Sequence, residues 1–145
     1  MSKVKIGTVQ MSCVADKQSN LNKAIEKIKE LAKKSGSFFF CTAIQTGKPF
    51  ATRPMAAEEI DDEGNLWFLS ASDSHKNKEI QVDNNVQLLF QGSSYSDFMT
   101  LYGTAEISTD KQRIKELWDP TMKNWFTQGE DDPRITVIKV SPNEG

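Results

Sequence analysis

Between Ser19 and Lys34 the apolar side chains Leu21, Ile25, Ile28 and Leu31 recur at the 3.6-residue period, with lysines and glutamates between them. This pattern predicts an amphipathic helix, and Gly36 is placed to stop it. Upstream, residues 3–10 (KVKIGTVQ) alternate polar and apolar in part and read as a strand. Downstream the period shortens. Residues 38–44 (FFFCTAI) are aromatic and β-branched, as in a buried strand. The turn Gln45-Thr46-Gly47-Lys48 leads into a second strand from Pro49 to about Ile60. Asp61-Asp62-Glu63-Gly64-Asn65 has the composition of a hairpin turn. Leu66 to Ala71 is a third strand, and Asp73 or Ser74 caps a short helix running to about Val82. Val86 to Gln91 is a fourth strand. Phe98 to Ile107 is a fifth, with Gly103 inside it, as a bulge or a close backbone approach requires. Thr109 or Asp110 caps another helix, with Ile114, Leu117 and Trp118 on one face, and Pro120 ends or kinks it. Ile135 to Val140 is the last strand. Short strands joined by tight turns, with a few helices, predict a mainly β domain with flanking helices, built as a closed or partly closed antiparallel barrel.

Composition narrows the function. A chain of 145 residues with 37% hydrophobic content suits one domain with one real core. The net charge of −2 lacks the basic surplus that neutralises phosphates, so neither nucleic acid nor an acidic membrane is an expected partner. No apolar run approaches the roughly 20 residues of a membrane helix. A single histidine, His75, rules out a multi-histidine metal site, and no metal is expected. Cys13 and Cys41 form no CxxC and read as reduced cysteines of a cytoplasmic protein. There is no Ser/His/Asp constellation, no GxxxxGK loop and no GxGxxG.

The candidate chemistry lies in the middle of the chain. Asp73-Ser74-His75-Lys76 falls where a strand ends and a helix begins, and a helix N-terminus with a hydroxyl and a lysine makes an anion site. A solvated, capped helix start with an ordinary surface lysine is the plainer reading. Arg53 sits in an apolar strand before Pro54, where it reaches either an anionic ligand or a nearby acid in a surface ion pair. Trp67, Phe68, Tyr95, Phe98 and Trp125 are able to stack on a ring ligand or to fill the core, and core is the better account of Phe68. The acidic stretch from Glu58 to Glu63 reads as a solvated hairpin.

Four segments, FCTAIQTGKPFATRPM, GNLWFLSASDSHKNKEI, TLYGTAEI and WFTQGEDDP, resemble in order and spacing the pyridoxamine 5′-phosphate oxidase-like FMN-binding split barrels, in their general-stress-protein branch. The resemblance covers about residues 24–145. It implies a split β-barrel, a homodimer, and FMN, with FAD as the alternative, bound at the dimer interface. It implies that Arg53, Pro54 and Met55 lie along the flavin, that Leu69 and Ser70 flank its ring and ribityl groups, and that Ser74, His75 and Lys76 hold the 5′-phosphate. Trp67, Tyr95, Phe98 and Trp125 are the candidate pocket wall. Two positions depart from the oxidase pattern. His75 stands in a turn where the oxidases carry Arg-Lys, and a histidine carries less charge near neutral pH than an arginine. Phe98 stands where they place a glutamine. The oxidases also end in a tryptophan- and arginine-containing segment that this chain lacks before Gly145, so oxidation of pyridoxamine phosphate itself is not expected. Residues 3–29 resemble instead the start of carbon–nitrogen hydrolases, without a matching cysteine-nucleophile motif further on.

The sequence therefore predicts residues 1–36 as an N-terminal strand and helix of atypical origin, and residues 37–145 as a flavin-binding split-barrel domain. The expected function is flavin-dependent electron exchange with a small-molecule donor or acceptor. A flavin-binding stress protein without turnover, a carrier or sensor, is the alternative, and a nitrilase-type amidohydrolase fragment is a remote one.

Overall fold

The structure is a computed structural model and describes residues 15–144. The strand expected over residues 3–10 lies outside the described residues. The elements run α1 (Lys17–Ser35), β1 (Phe38–Thr42), β2 (Ala51–Met55), β3 (Glu59–Ile60), β4 (Leu66–Ala71), α2 (His75–Val82), β5 (Asn85–Gln91), β6 (Phe98–Ser108), α3 (Lys111–Leu117) and β7 (Ile135–Glu144). Two short 3₁₀ turns, Pro120–Asn124 and Gly129–Asp131, join α3 to β7.

Local chemistry accounts for most boundaries. Asp16 caps α1 by accepting from the amides of Gln18 and Ser19, and Gly36 ends it at a φ of 68°. Ser74, not Asp73, caps α2, and Asp110, not Thr109, caps α3. Asp61 organises the β3–β4 hairpin, accepting from the amides of Glu63 and Asn65 and from Trp67 Nε1. β1 stops two residues earlier than expected, because Ala43 takes a φ of 54°.

The single strand expected from Pro49 to Ile60 is instead two strands with a break at residues 56–58. The reason is topological. The strands form one antiparallel sheet in the order β2-β1-β5-β6-β7-β4-β3, so β2 and β3 are its opposite edges. A flat sheet of seven strands would hold its edges roughly 29 Å apart. The connection from Met55 to Glu59 reaches at most roughly 14 Å. The sheet must therefore curl until its edges approach, and the result is a half-barrel with flanking helices.

The concave face carries the main core: Phe38 and Phe40, Leu66 and Phe68, Val86, Leu88 and Phe90, Leu101, Ile138 and Val140. Ile28 and Ala32 of α1 and Ile80 of α2 pack into the same core. Phe68 meets Phe38 and Phe40 edge to face, at centroid distances of 5.8 and 5.3 Å. Gly103 serves both expected purposes. The β6–β7 register shifts between Tyr102 and Gly103, and a Cβ at Gly103 would stand 2.6 Å from the Ser141 carbonyl oxygen. β7 continues four residues past Val140, because β6 extends to receive it and Pro142 falls at the irregularity.

Candidate functional site

The register of β1 and β2 decides where the candidate residues point. Arg53 pairs with Phe40 and Met55 with Phe38, so both face the concave side, while Pro54 faces outward beside Phe39. Helix α2 lies across this edge with Ile80 in the core. Lys76, one turn earlier, thereby comes over β2, and its Nζ sits 3.0 Å from Met55 Sδ.

Arg53 and Glu79 form the centre of this corner. Arg53 Nη2 donates to Glu79 Oε2 at 2.8 Å. The same oxygen accepts from the hydroxyl of Thr42, which is fully buried on β1. Burial by itself pushes the Glu79 carboxyl up, but donation from Thr42 and Arg53, with the charges of Arg53 and His75, outweighs it and holds the carboxyl below the usual range. Arg53 Nη1 is buried and has no hydrogen-bond partner. Leaving such a donor unsatisfied costs about 1–3 kcal/mol. Burial, and then the charge of Arg53, pull the Lys76 ammonium down to about 8. Among the described residues Lys76 makes no ion pair. Two cations therefore share one corner with a single carboxylate, and one of their nitrogens has nothing to bond.

A second, neutral network stands at the start of α2. Buried Asn77 accepts from Ser70 Oγ at 2.8 Å and donates to Thr136 Oγ1 at 2.8 Å, and Thr136 in turn donates to the Ser70 carbonyl oxygen. Ser74 Oγ accepts the Asn77 amide as the helix cap. This network ties the helix start to the ends of β4 and β7. It borders a groove of about 480 Å³ lined by Asn77, Ile80, Ala105, Ile107 and Thr136 among others.

The structure thus gathers Arg53, Met55 and Lys76, and beside them Ser70 and Ser74. It does not gather the rest. Leu69 points to the opposite side of the sheet, into a cluster with Ile114 and Leu117. Trp67 is on that side too, with the Arg113 guanidinium 4.1 Å above its ring. His75 is exposed. Tyr95, Phe98 and Trp125 are exposed at separate places: the loop after β5, the start of β6 and the end of a 3₁₀ turn. Within one chain the four aromatics do not form a single wall. Sequence reasoning missed Thr42, Asn77, Glu79 and Thr136. The signal for Asn77 and Glu79 was their helical spacing from Ile80 and Lys76, which puts a polar and an acidic side chain on the packed flank of a short helix.

Among the described residues, no helix is long and apolar enough to cross a membrane, and no group of His, Cys, Asp and Glu could hold a metal ion.

The family model described as "Pyridoxamine 5′-phosphate oxidase like" matches residues 23–145. The chain belongs to this family. A curated relative, Protein bli-3 of Neurospora crassa, is 28% identical over 139 residues, covering 86% of this chain and 66% of that protein. Solved structures share the fold. A Clostridium acetobutylicum protein related to general stress protein 26 has a TM-score of 0.69 at 20% identity, covering 83% of this chain and 84% of that one. General Stress Protein 26 of Bacillus anthracis gives 0.68 at 22%, covering 81% and 88%. The general stress FMN/FAD binding protein of Xanthomonas citri gives 0.65 at 22%, covering 83% and 85%. The half-barrel is therefore the split-barrel fold of these pyridoxamine 5′-phosphate oxidase-like proteins. The family match begins inside α1, and these matches do not carry the resemblance of residues 3–29 to carbon–nitrogen hydrolases.

Proposed function

We propose that this pyridoxamine 5′-phosphate oxidase-like chain is a flavin-binding oxidoreductase that anchors the phosphate of FMN between Arg53 and Lys76. The observation that carries the reading is the buried Nη1 of Arg53, beside Lys76, with neither a hydrogen-bond partner for the one nor a counter-ion for the other among the described residues. An oxyanion satisfies both, since charge-assisted hydrogen bonds to phosphate are the strong ones. The FMN/FAD binding protein of Xanthomonas citri, a fold relative, supports a flavin as the ligand and keeps FAD as the alternative. When bound, the flavin would supply the redox chemistry. This chain's residues would hold the phosphate, keep the start of α2 in place through Ser70, Ser74 and Asn77, and exclude water from the concave side.

A homodimer belongs to the same proposal. The convex face of β2, β1, β5 and β6 exposes Phe39, Phe98 and Tyr102, at 53%, 67% and 43%. Its other outward residues are mainly neutral, among them Thr52, Pro54, Gln87, Leu89 and Thr100, with Glu106 as the charged one. Such a face suits a second copy of itself. A cytoplasmic location is proposed with it.

The test compares FMN with riboflavin, which lacks the phosphate, by fluorescence-quench titration. Losing one charge-assisted contact typically costs about 1.5–3 kcal/mol, or roughly 10- to 150-fold in affinity. Lys76→Ala should weaken FMN by that much and riboflavin far less, and His75→Arg should tighten FMN. Equal losses for both ligands would place the phosphate elsewhere. Anaerobic reduction of the loaded protein by nicotinamide nucleotides then separates an oxidoreductase from a carrier.

A further inference from the structure

We propose that Glu79 is a positioning residue, which turns the Arg53 guanidinium so that one nitrogen is tied to the fold and the other is presented to an oxyanion. The inference rests on the phosphate reading above for the ligand. A guanidinium facing a carboxylate ordinarily closes a two-pronged fork, with both nitrogens satisfied. Here the contact is single-pronged. Arg53 Nη2 reaches Glu79 Oε2, the oxygen that also accepts from Thr42. Thr42 is fully buried on β1, and its hydroxyl draws that oxygen toward the sheet. The second prong, Nη1, is left buried and unpartnered. A fork would have neutralised Arg53 completely. The Thr42–Glu79–Arg53 chain instead fixes the orientation of the guanidinium while leaving a donor free, and Lys76 approaches the same strand through Met55.

Two consequences oppose each other and make the role testable. If Glu79 acts only as a competing negative charge, its removal must tighten an anion. If it acts by orientation, removing its oxygen must weaken the anion, and an uncharged side chain with the same oxygen must restore it. We expect Glu79→Ala to lower the FMN-to-riboflavin affinity ratio by roughly tenfold, the scale of one charge-assisted bond. Glu79→Gln keeps an acceptor for both Thr42 and Arg53 and should bring the ratio back to within about threefold of the unmodified protein. Thr42→Val should lower the ratio and Thr42→Ser should restore it. A general structural defect would move FMN and riboflavin together. Thr42→Val exchanges the hydroxyl for a methyl of similar size, so it carries the test if Glu79→Ala does not fold. A ratio that falls in Lys76→Ala and Arg53→Ala but rises or stays level in Glu79→Ala and Thr42→Val overturns the positioning role alone. A ratio unmoved in all four overturns the phosphate reading together with it.

Discussion

The convex side of the sheet is finished differently at its two ends. Over β4 and β7 the chain covers itself. Leu69, Ile135 and Val137 lie under Ile114, Leu117, Met122 and Phe126, and Arg113 seals the edge against Trp67 and Glu59. Over β2, β1, β5 and the start of β6 no element of the described chain does the same. There Phe39 and Phe98 are more than half exposed. Leu69, under that cover, is 9% exposed, whereas Phe39 on the open half is 53% exposed. Apolar burial stabilises at about 25 cal/mol per Å². The covered half realises that gain within one chain, and the open half leaves it unrealised there. The catalytic potential proposed above lies at the edge of the open half, at β2.

Four measurements test this contrast. Phe40→Ala should produce the largest change, a loss of about 3–5 kcal/mol in denaturant unfolding, because it empties the shared core. Leu117→Ala opens the smaller covered cluster and should cost about 2–3 kcal/mol, without altering the oligomeric state. A negligible cost would mean that α3 does not seal its half.

Lys76→Met should stabilise. In the folded chain burial, and then the charge of Arg53, pull the Lys76 ammonium down to about 8, from an ordinary 10.5. Below pH 8 both folded and unfolded chains carry the proton, and its burial weakens the fold in full. Between those values the unfolded chain binds more protons, so stability rises with pH. The variant should therefore gain about 1–2 kcal/mol at pH 7, after discounting for partial exposure. Less than half of that gain should remain at about pH 9.5. A gain independent of pH would place the lysine's burden elsewhere. That a charged side chain weakens its own fold at this position is what a ligand site would show.

Phe39→Glu should give the smallest stability change of the four, within about 0.5 kcal/mol in the isolated subunit. Its effect belongs in sedimentation velocity at micromolar concentration, as a shift from dimer to monomer. A loss of intrinsic stability matching that of Phe40→Ala would show that this face is closed within the chain after all.

Much of the fold was legible because its signals are local. The period of α1, the Gly36 stop, the Asp61–Asn65 hairpin and the strands expected at 66–71, 86–91 and 98–107 all follow from neighbouring residues, and the observed bounds differ by at most one residue. The break at residues 56–58 was not, because Ala56 and Ala57 carry no turn signal. It exists because the chain must cross from one edge of a curled sheet to the other. The end of β7 was hidden by Pro142 and Asn143, because only the pairing of β6 with Pro142 and Glu144 carries the strand past them. The site divides in the same way. Arg53 and Lys76 are marked by charge in apolar or capped settings. Glu79, three residues after Lys76 on α2, reaches Arg53 and in turn holds Thr42 of β1, and no sequence spacing links Thr42 to either.

Most of the elements, and the resemblance to a family of split barrels, were readable from the chain alone. Those depend on periodicity and on short motifs that survive without neighbours. Packing in three dimensions was needed to turn Arg53 to the core, to let Glu79 engage one of its two nitrogens, and to hold the aromatics Trp67, Tyr95, Phe98 and Trp125 apart. The physical reason is that strand pairing converts a period of two into a choice of side, and register makes that choice. β2 pairs with β1 such that Arg53 lies opposite Phe40. A shift of one residue would have turned the same arginine to solvent and left Lys76 beside Pro54.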